Sequence, residues 1–267
     1  AKALKDFSNN NVSLVFESGT RTDTDGAAGD RYRVRMRTQN LELPEGVDVT
    51  FQNIVMKYDQ GTNTEARDAK GNITSYDMTF AGNGGTLTFG EGVIFLKHND
   101  ETMKPTVYGG STKDSTLTTT KESTVTVTAG CNAHFTAIYG GGTKEQTADA
   151  AVTILGGMVE NSIYGGGDGA RVTGFVAVTV NNDNPGDENT SIYGGGKGAD
   201  VTGDSTVTVT LPNKAGKSSF RLHTISGSGT NADGSALADN VAGTKNVSIA
   251  MKDAGSTGIL QLMNLTG

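Results

Sequence analysis

The sequence predicts an all-β chain wound as a parallel solenoid, and three observations carry that prediction. The 267 residues hold 38 Gly, 4 Pro and no Trp, a glycine share about twice the average, with none of the Ala/Leu/Glu/Lys tracts that favour helices. The phrase Ile-Tyr-Gly-Gly-Gly occurs three times, at 138–142, 163–167 and 192–196. Upstream of each copy lies a stretch in which β-branched residues alternate apolar with polar, the mark of a strand with one buried face.

In chain order, the first hundred residues carry the less regular elements. "NVSLVF" (11–16), "RYRVRMR" (31–37), "GVDVTFQNIVM" (46–56) and "GGTLTFGEGVIFL" (84–96) read as strands, and "DQGTNTEARDAKGN" (59–72) as an excursion loop. From there the repeat is regular. Val125-Thr126-Val127 precedes Ile138, Val152-Thr153-Ile154 precedes Ile163, and Val178-Thr179-Val180 precedes Ile192. Two further units lack the tyrosine: Val207-Thr208-Val209 before Ile225, and Val247-Ser248-Ile249 before Ile259. The leading valines are 27, 26, 29 and 40 residues apart; fixed strands with variable connectors are what stacked coils produce, whereas hairpins place turns every 8 to 12 residues or so. About 8 to 10 coils are expected at this period. With no Pro/Ser-rich linker in the chain, 1–267 is expected to be one domain, with irregular coils over 1–102 and regular ones over 103–267. The strand pattern still runs in the terminal "LQLMNLTG", so the native polypeptide is expected to continue.

Stacking equivalent residues about 4.8 Å apart gives two inward ladders, Val125/Val152/Val178/Val207/Val247 and Val127/Ile154/Val180/Val209/Ile249. A third is Val107/Ile138/Ile163/Ile192/Ile225, and Thr126/Thr153/Thr179/Thr208/Ser248 forms an outward hydroxyl ladder between the first two. The glycine triplets are expected to turn the chain at each corner, through positive φ and close backbone approach. Aligning 164–174 with 193–203 sets Asp168 over Lys197 and Arg171 over Asp200, opposite charges that pin register.

A net charge of -7 and a pI near 5.0 exclude a general nucleic-acid or anionic-membrane binder, which needs a basic field. No apolar run is long enough to span a membrane, so no insertion of this segment is expected. The single Cys131 allows no internal disulfide.

The "VTV…IYGGG" columns and the phrase "VTFQNI" at 49–54 resemble the right-handed parallel β-helix of pectin-lyase-like proteins. More narrowly they look like the adhesin-like repeat regions of large bacterial cell-surface proteins. The resemblance is good over 103–267 and loose before it. It implies a single right-handed β-helix, extracellular location at the bacterial surface or in secreted form, and adhesion or scaffolding with a glycan or host-surface ligand as partner.

Enzymes of this fold place two or three carboxylates, or calcium-binding Asp with a basic residue, on neighbouring coils of one face. The nearest match here, Asp168, Arg171, Lys197, Asp200 and Asp204, reads as paired charges. The expectation is therefore a non-catalytic protein with no catalytic residue, cofactor or metal site, and the alternative is a polysaccharide lyase or glycoside hydrolase of the β-helix class. "RTDTDGAAGD" (21–30) lacks the first and last ligands of an EF-hand, since Arg21 and Tyr32 stand there. "NNDNPGDEN" (181–189) reads as a solvated acidic loop, and Cys131 with His134 is a lone ligand pair, short of the roughly four a zinc ion needs.

Two features are candidate binding surfaces. Tyr108, Tyr139, Tyr164 and Tyr193 form one column; facing out, it offers stacked rings to sugars, and facing in, it is core. Arg31, Arg33, Arg35 and Arg37 project from one face of a strand, as a dock for an anionic glycan or as a solvated, locally paired edge that discourages strand addition.

Overall fold

The valine columns meet as the alternation requires. In the computed structural model, Val125, Val152, Val178, Val207 and Val247 are consecutive partners in one parallel sheet, as are Val127, Ile154, Val180, Val209 and Ile249. The structure describes residues 13–17, 33–36, 40–58, 66–67, 73–75, 78–97, 100–113, 121–182, 184–211, 219–235, 240–251 and 259–267. Arg31, Arg37, the acidic stretch 21–30, and His98 lie outside them.

Among the described residues every regular element is a strand. The first three coils use three strands each: β1 (Ser13–Glu17), β2 (Arg33–Met36) and β3 (Asn40–Glu42), then β4 (Asp48–Gln52), β5 (Val55–Tyr58) and, past a short antiparallel pair β6 (Ala66–Arg67) and β7 (Ile73–Ser75), β8 (Thr79–Ala81). The third comprises β9 (Thr86–Phe89), β10 (Ile94–Leu96) and β11 (Thr106–Tyr108). From there each coil has two: β12 (Ser123–Val127) with β13 (His134–Tyr139), β14 (Ala150–Ile154) with β15 (Met158–Tyr164), and β16 (Val176–Asn181) with β17 (Ser191–Tyr193). The last are β18 (Ser205–Leu211) with β19 (Ser219–Ser226), and β20 (Lys245–Met251) with β21 (Ile259–Thr266).

The strands assemble into two eight-stranded parallel sheets, β1-β4-β9-β12-β14-β16-β18-β20 and β3-β8-β11-β13-β15-β17-β19-β21, with β2-β5-β10 as a third, three-stranded one. From β12 onward consecutive strands alternate between the two large sheets. That order is consistent with a parallel β-helix.

Between the sheets lies a continuous core. Val107, Ile138, Ile163, Ile192 and Ile225 form the third buried ladder, and each such side chain contributes about 1.5 to 3 kcal/mol of burial before chain entropy. The early strands add the third sheet, β2-β5-β10, to the two large ones. Phenylalanines cluster there in the core, with Phe89 lying 5.5 Å from Phe80, 5.7 Å from Phe95 and 5.2 Å from Phe135 between ring centroids, and Met56, Met78 and Met103 are buried in the same core.

Two expectations are corrected. Ile259 pairs with Ser219, and it is Leu265 that continues the column below Ile225; β21 is long enough to enter the ladder six residues later than the repeat suggests. The glycine triplets turn without positive φ, which occurs instead at Gly169 and Gly198 just beyond them. Their need for glycine is close approach. A Cβ on Gly165 would stand 2.6 Å from the Gly194 carbonyl oxygen, with the neighbouring coil's backbone in the way.

Beyond each triplet the chain adds a third layer, bridged in parallel at Asp168/Lys197/Thr230 and at Thr147/Val172/Val201/Val241. Val172, Val201 and Val241 close a small separate core over Ala150 and Val176. The charged register is as aligned: Lys197 Nζ lies 3.5 Å from Asp168 Oδ1, and Arg171 Nη2 lies 3.5 Å from Asp200 Oδ2. Asp204 Oδ1 accepts the Thr244 amide at 2.7 Å.

Candidate functional site: the tyrosine ladder and its groove

Strand alternation sets the tyrosines. With Val107, Ile138, Ile163 and Ile192 inside, the next residue on β11, β13, β15 and β17 points to the other side of the sheet, and Tyr108, Tyr139, Tyr164 and Tyr193 are in register there. Their rings stack at centroid distances of 5.0, 4.9 and 4.8 Å, with interplanar angles of 13°, 1° and 15°. Ala81 occupies the column above Tyr108 and Ser226 the column below Tyr193.

The third layer covers this ladder. Tyr108, Tyr139 and Tyr164 are 8%, 5% and 4% exposed, and Tyr193 is half-buried. Tyr108 Oη donates to Asp168 Oδ2 at 3.4 Å, and Tyr164 Oη lies 3.2 Å from Thr230 Oγ1. Each tie passes over an intervening coil. Burial, and secondarily the Asp168 charge, hold the Tyr108 and Tyr139 hydroxyls well above their ordinary pKa of 10.0. Burial raises Tyr164 as well, against a lowering hydrogen bond from Thr230. The ring faces therefore lie against one another, and what the ladder presents outward is ring edges.

Those edges form one wall of a groove of about 630 Å³, within the range of small-molecule and oligomer sites. The floor is the outer face of the same sheet, carrying Thr106, Ala137, Ser162 and Ser191 in successive register. Thr136, Asn161, Asn189 and His223 flank it, and Asp168 and Lys197 stand at the rim. Hydroxyl and amide groups thus recur coil after coil beside an aromatic edge. This floor was not singled out from the sequence; its signal is the small residue two positions before each tyrosine, at Thr106, Ala137, Ser162 and Ser191.

The lining side chains offer hydrogen-bond donors and acceptors. Asp168 is the one carboxylate in the lining, and it faces Lys197 and the Tyr108 hydroxyl, whereas glycoside hydrolysis needs a pair. His223 Nδ1 lies 2.9 Å from Thr224 Oγ1 and 3.5 Å from Ser191 Oγ, and no carboxylate backs the imidazole within this lining. No group of three or more His, Cys, Asp or Glu suited to a metal occurs among the described residues. Cys131 is buried, and burial pushes its thiol up to about 11.

The arginine strand lies apart. β2 is an edge strand of the three-stranded sheet, with Arg33 beside Val55 and Arg35 beside Lys57. Lys57 is itself engaged by Asp100 at 3.0 Å. Among the described residues, β2 contributes none to the lining of the tyrosine groove. No family model, no curated protein and no solved structure matches the chain.

Proposed function

We propose that this chain is a non-catalytic, right-handed parallel β-helix of the adhesin-like kind, displayed at a bacterial surface or secreted, that retains an extended, uncharged glycan along one lateral face. The observation that carries this reading is the groove beside the tyrosine ladder, where neutral donors and acceptors repeat at the coil spacing and the two rim charges, Asp168 and Lys197, neutralise each other. A polymer laid along the coil axis meets a similar set of partners at each step, so weak contacts add through avidity. The lyase or hydrolase alternative is disfavoured by the single, engaged carboxylate.

The test is retention on immobilised neutral polysaccharides and neutral host glycans, with the polyanions pectin and alginate as substrates in parallel product analysis and as ligands expected to bind less. Retention without unsaturated or reducing ends is expected. The exposed pair Asn161→Ala and Asn189→Ala removes two groove amides, each worth about 0.5 to 1.5 kcal/mol, and so weakens binding by roughly fivefold to a hundredfold at 1.4 kcal/mol per decade. Turnover, or retention indifferent to that double variant, overturns the proposal.

A further inference from the structure

We infer that the tyrosine ladder is an oxidative cross-linking site, at which a one-electron oxidant, such as a haem peroxidase with hydrogen peroxide, joins neighbouring rings as dityrosine and so staples successive coils. Four phenols in register, 4.8 to 5.0 Å apart and nearly parallel, hold side by side the groups whose radicals combine through the carbons ortho to oxygen. In free chains that encounter is bimolecular. Here the partners are already neighbours within one fold, so the encounter is intramolecular and only a short closing of the rings remains. The chain has no Trp, hence no indole to trap the oxidising equivalent first.

The ladder also has a way in and a place for the proton. Tyr193, half-buried at the groove, is the ring an oxidant reaches, and stacking lets the electron vacancy pass inward to Tyr164, Tyr139 and Tyr108. At the far end the Tyr108 hydroxyl already donates to the Asp168 carboxylate, which takes the phenolic proton as the electron leaves and avoids a buried radical cation. The balance closes. Hydrogen peroxide takes one electron and one proton from each of two tyrosines and leaves as two waters. The two phenoxyl radicals form one carbon–carbon bond between ortho positions, and the hydrogens on those carbons move to the oxygens as the rings regain aromaticity.

The experiment treats dilute folded protein with peroxidase and peroxide and, in parallel, with a small photogenerated one-electron oxidant so that access is not limiting. Expected are dityrosine emission, loss of two hydrogens per link at monomer mass, and peptide pairs Tyr108–Tyr139, Tyr139–Tyr164 or Tyr164–Tyr193. Tyr139→Phe keeps a stacking ring without a phenol and should leave Tyr164–Tyr193 alone, which also reports that the ladder is folded. Asp168→Asn should lower linkage at Tyr108 relative to Tyr164–Tyr193. Absence of ladder links with both oxidants, links mapping only outside the ladder, or unchanged link positions in Tyr139→Phe each overturn the inference.

Discussion

Replacing Tyr139 with leucine separates stacking from burial. Tyr139 sits between two rings, 5.0 Å from Tyr108 and 4.9 Å from Tyr164, whereas Tyr193 has one stacked neighbour, Tyr164, at 4.8 Å. Leucine keeps an apolar side chain but loses the ring pairs, each worth about 0.5 to 1.5 kcal/mol beyond area burial. Tyr139→Leu should therefore cost about 1 to 3 kcal/mol and Tyr193→Leu about half as much, while truncation to alanine at 139 adds a cavity and approaches the roughly 3 to 5 kcal/mol of large aromatic deletions. Urea unfolding followed by far-ultraviolet circular dichroism measures the differences, and the Tyr139→Leu/Tyr164→Leu cycle isolates the pair. If Tyr139→Leu falls within about 0.5 kcal/mol of the wild type, as an ordinary surface change does, or matches Tyr193→Leu, the ladder does not stabilise the stack by ring contact.

Gly165→Ala places a methyl against the Gly194 carbonyl and should destabilise by about 1 to 3 kcal/mol, while Gly234→Ala, at φ +85° with open space around it, should cost about 1 to 2 kcal/mol through backbone conformation alone; melting curves compare the two. The raised tyrosines give a signed alkaline dependence: both states hold the phenolic proton below pH 10, and above it the unfolded chain releases protons the folded one keeps, so stability falls as pH rises. Tyrosinate absorbance should accordingly show Tyr108, Tyr139 and Tyr164 ionising only as the fold opens. Cys131, with its thiol pushed up to about 11, should resist alkylation at pH 8 in the folded protein and react fully in urea.

The regular half of the fold was legible because each coil repeats one phrase in register. Val152 announces Val178 and Val207, and Asp168 announces Lys197, since in parallel strands the sequence alignment is also the spatial one. The three-stranded sheet was not legible. Its strands β2, β5 and β10 run three or four residues, repeat no phrase, and pair through partners such as Phe95 with Met56 that no periodicity links. Position 259 misled for a related reason: β21 carries several apolar residues, Leu260, Leu262 and Leu265, and only pairing decides which one joins the column. The tyrosines were readable as a column but not as a covered one, because the ties over Tyr108 and Tyr164 come from Asp168 and Thr230 of the third layer, each two coils further along the chain. The groove floor depends on that same layer.

Those hydroxyl links bear on how the stack loosens. Asp168 reaches Tyr108 past the coil of Tyr139, and Thr230 reaches Tyr164 past the coil of Tyr193. A linear array held by nearest neighbours alone can come apart wherever one interface opens. With fasteners that straddle a turn, a breach at Tyr139 or Tyr193 leaves the turns on its two sides still tethered, so amide exchange in strands β11, β13, β15, β17 and β19 should proceed as one block rather than turn by turn.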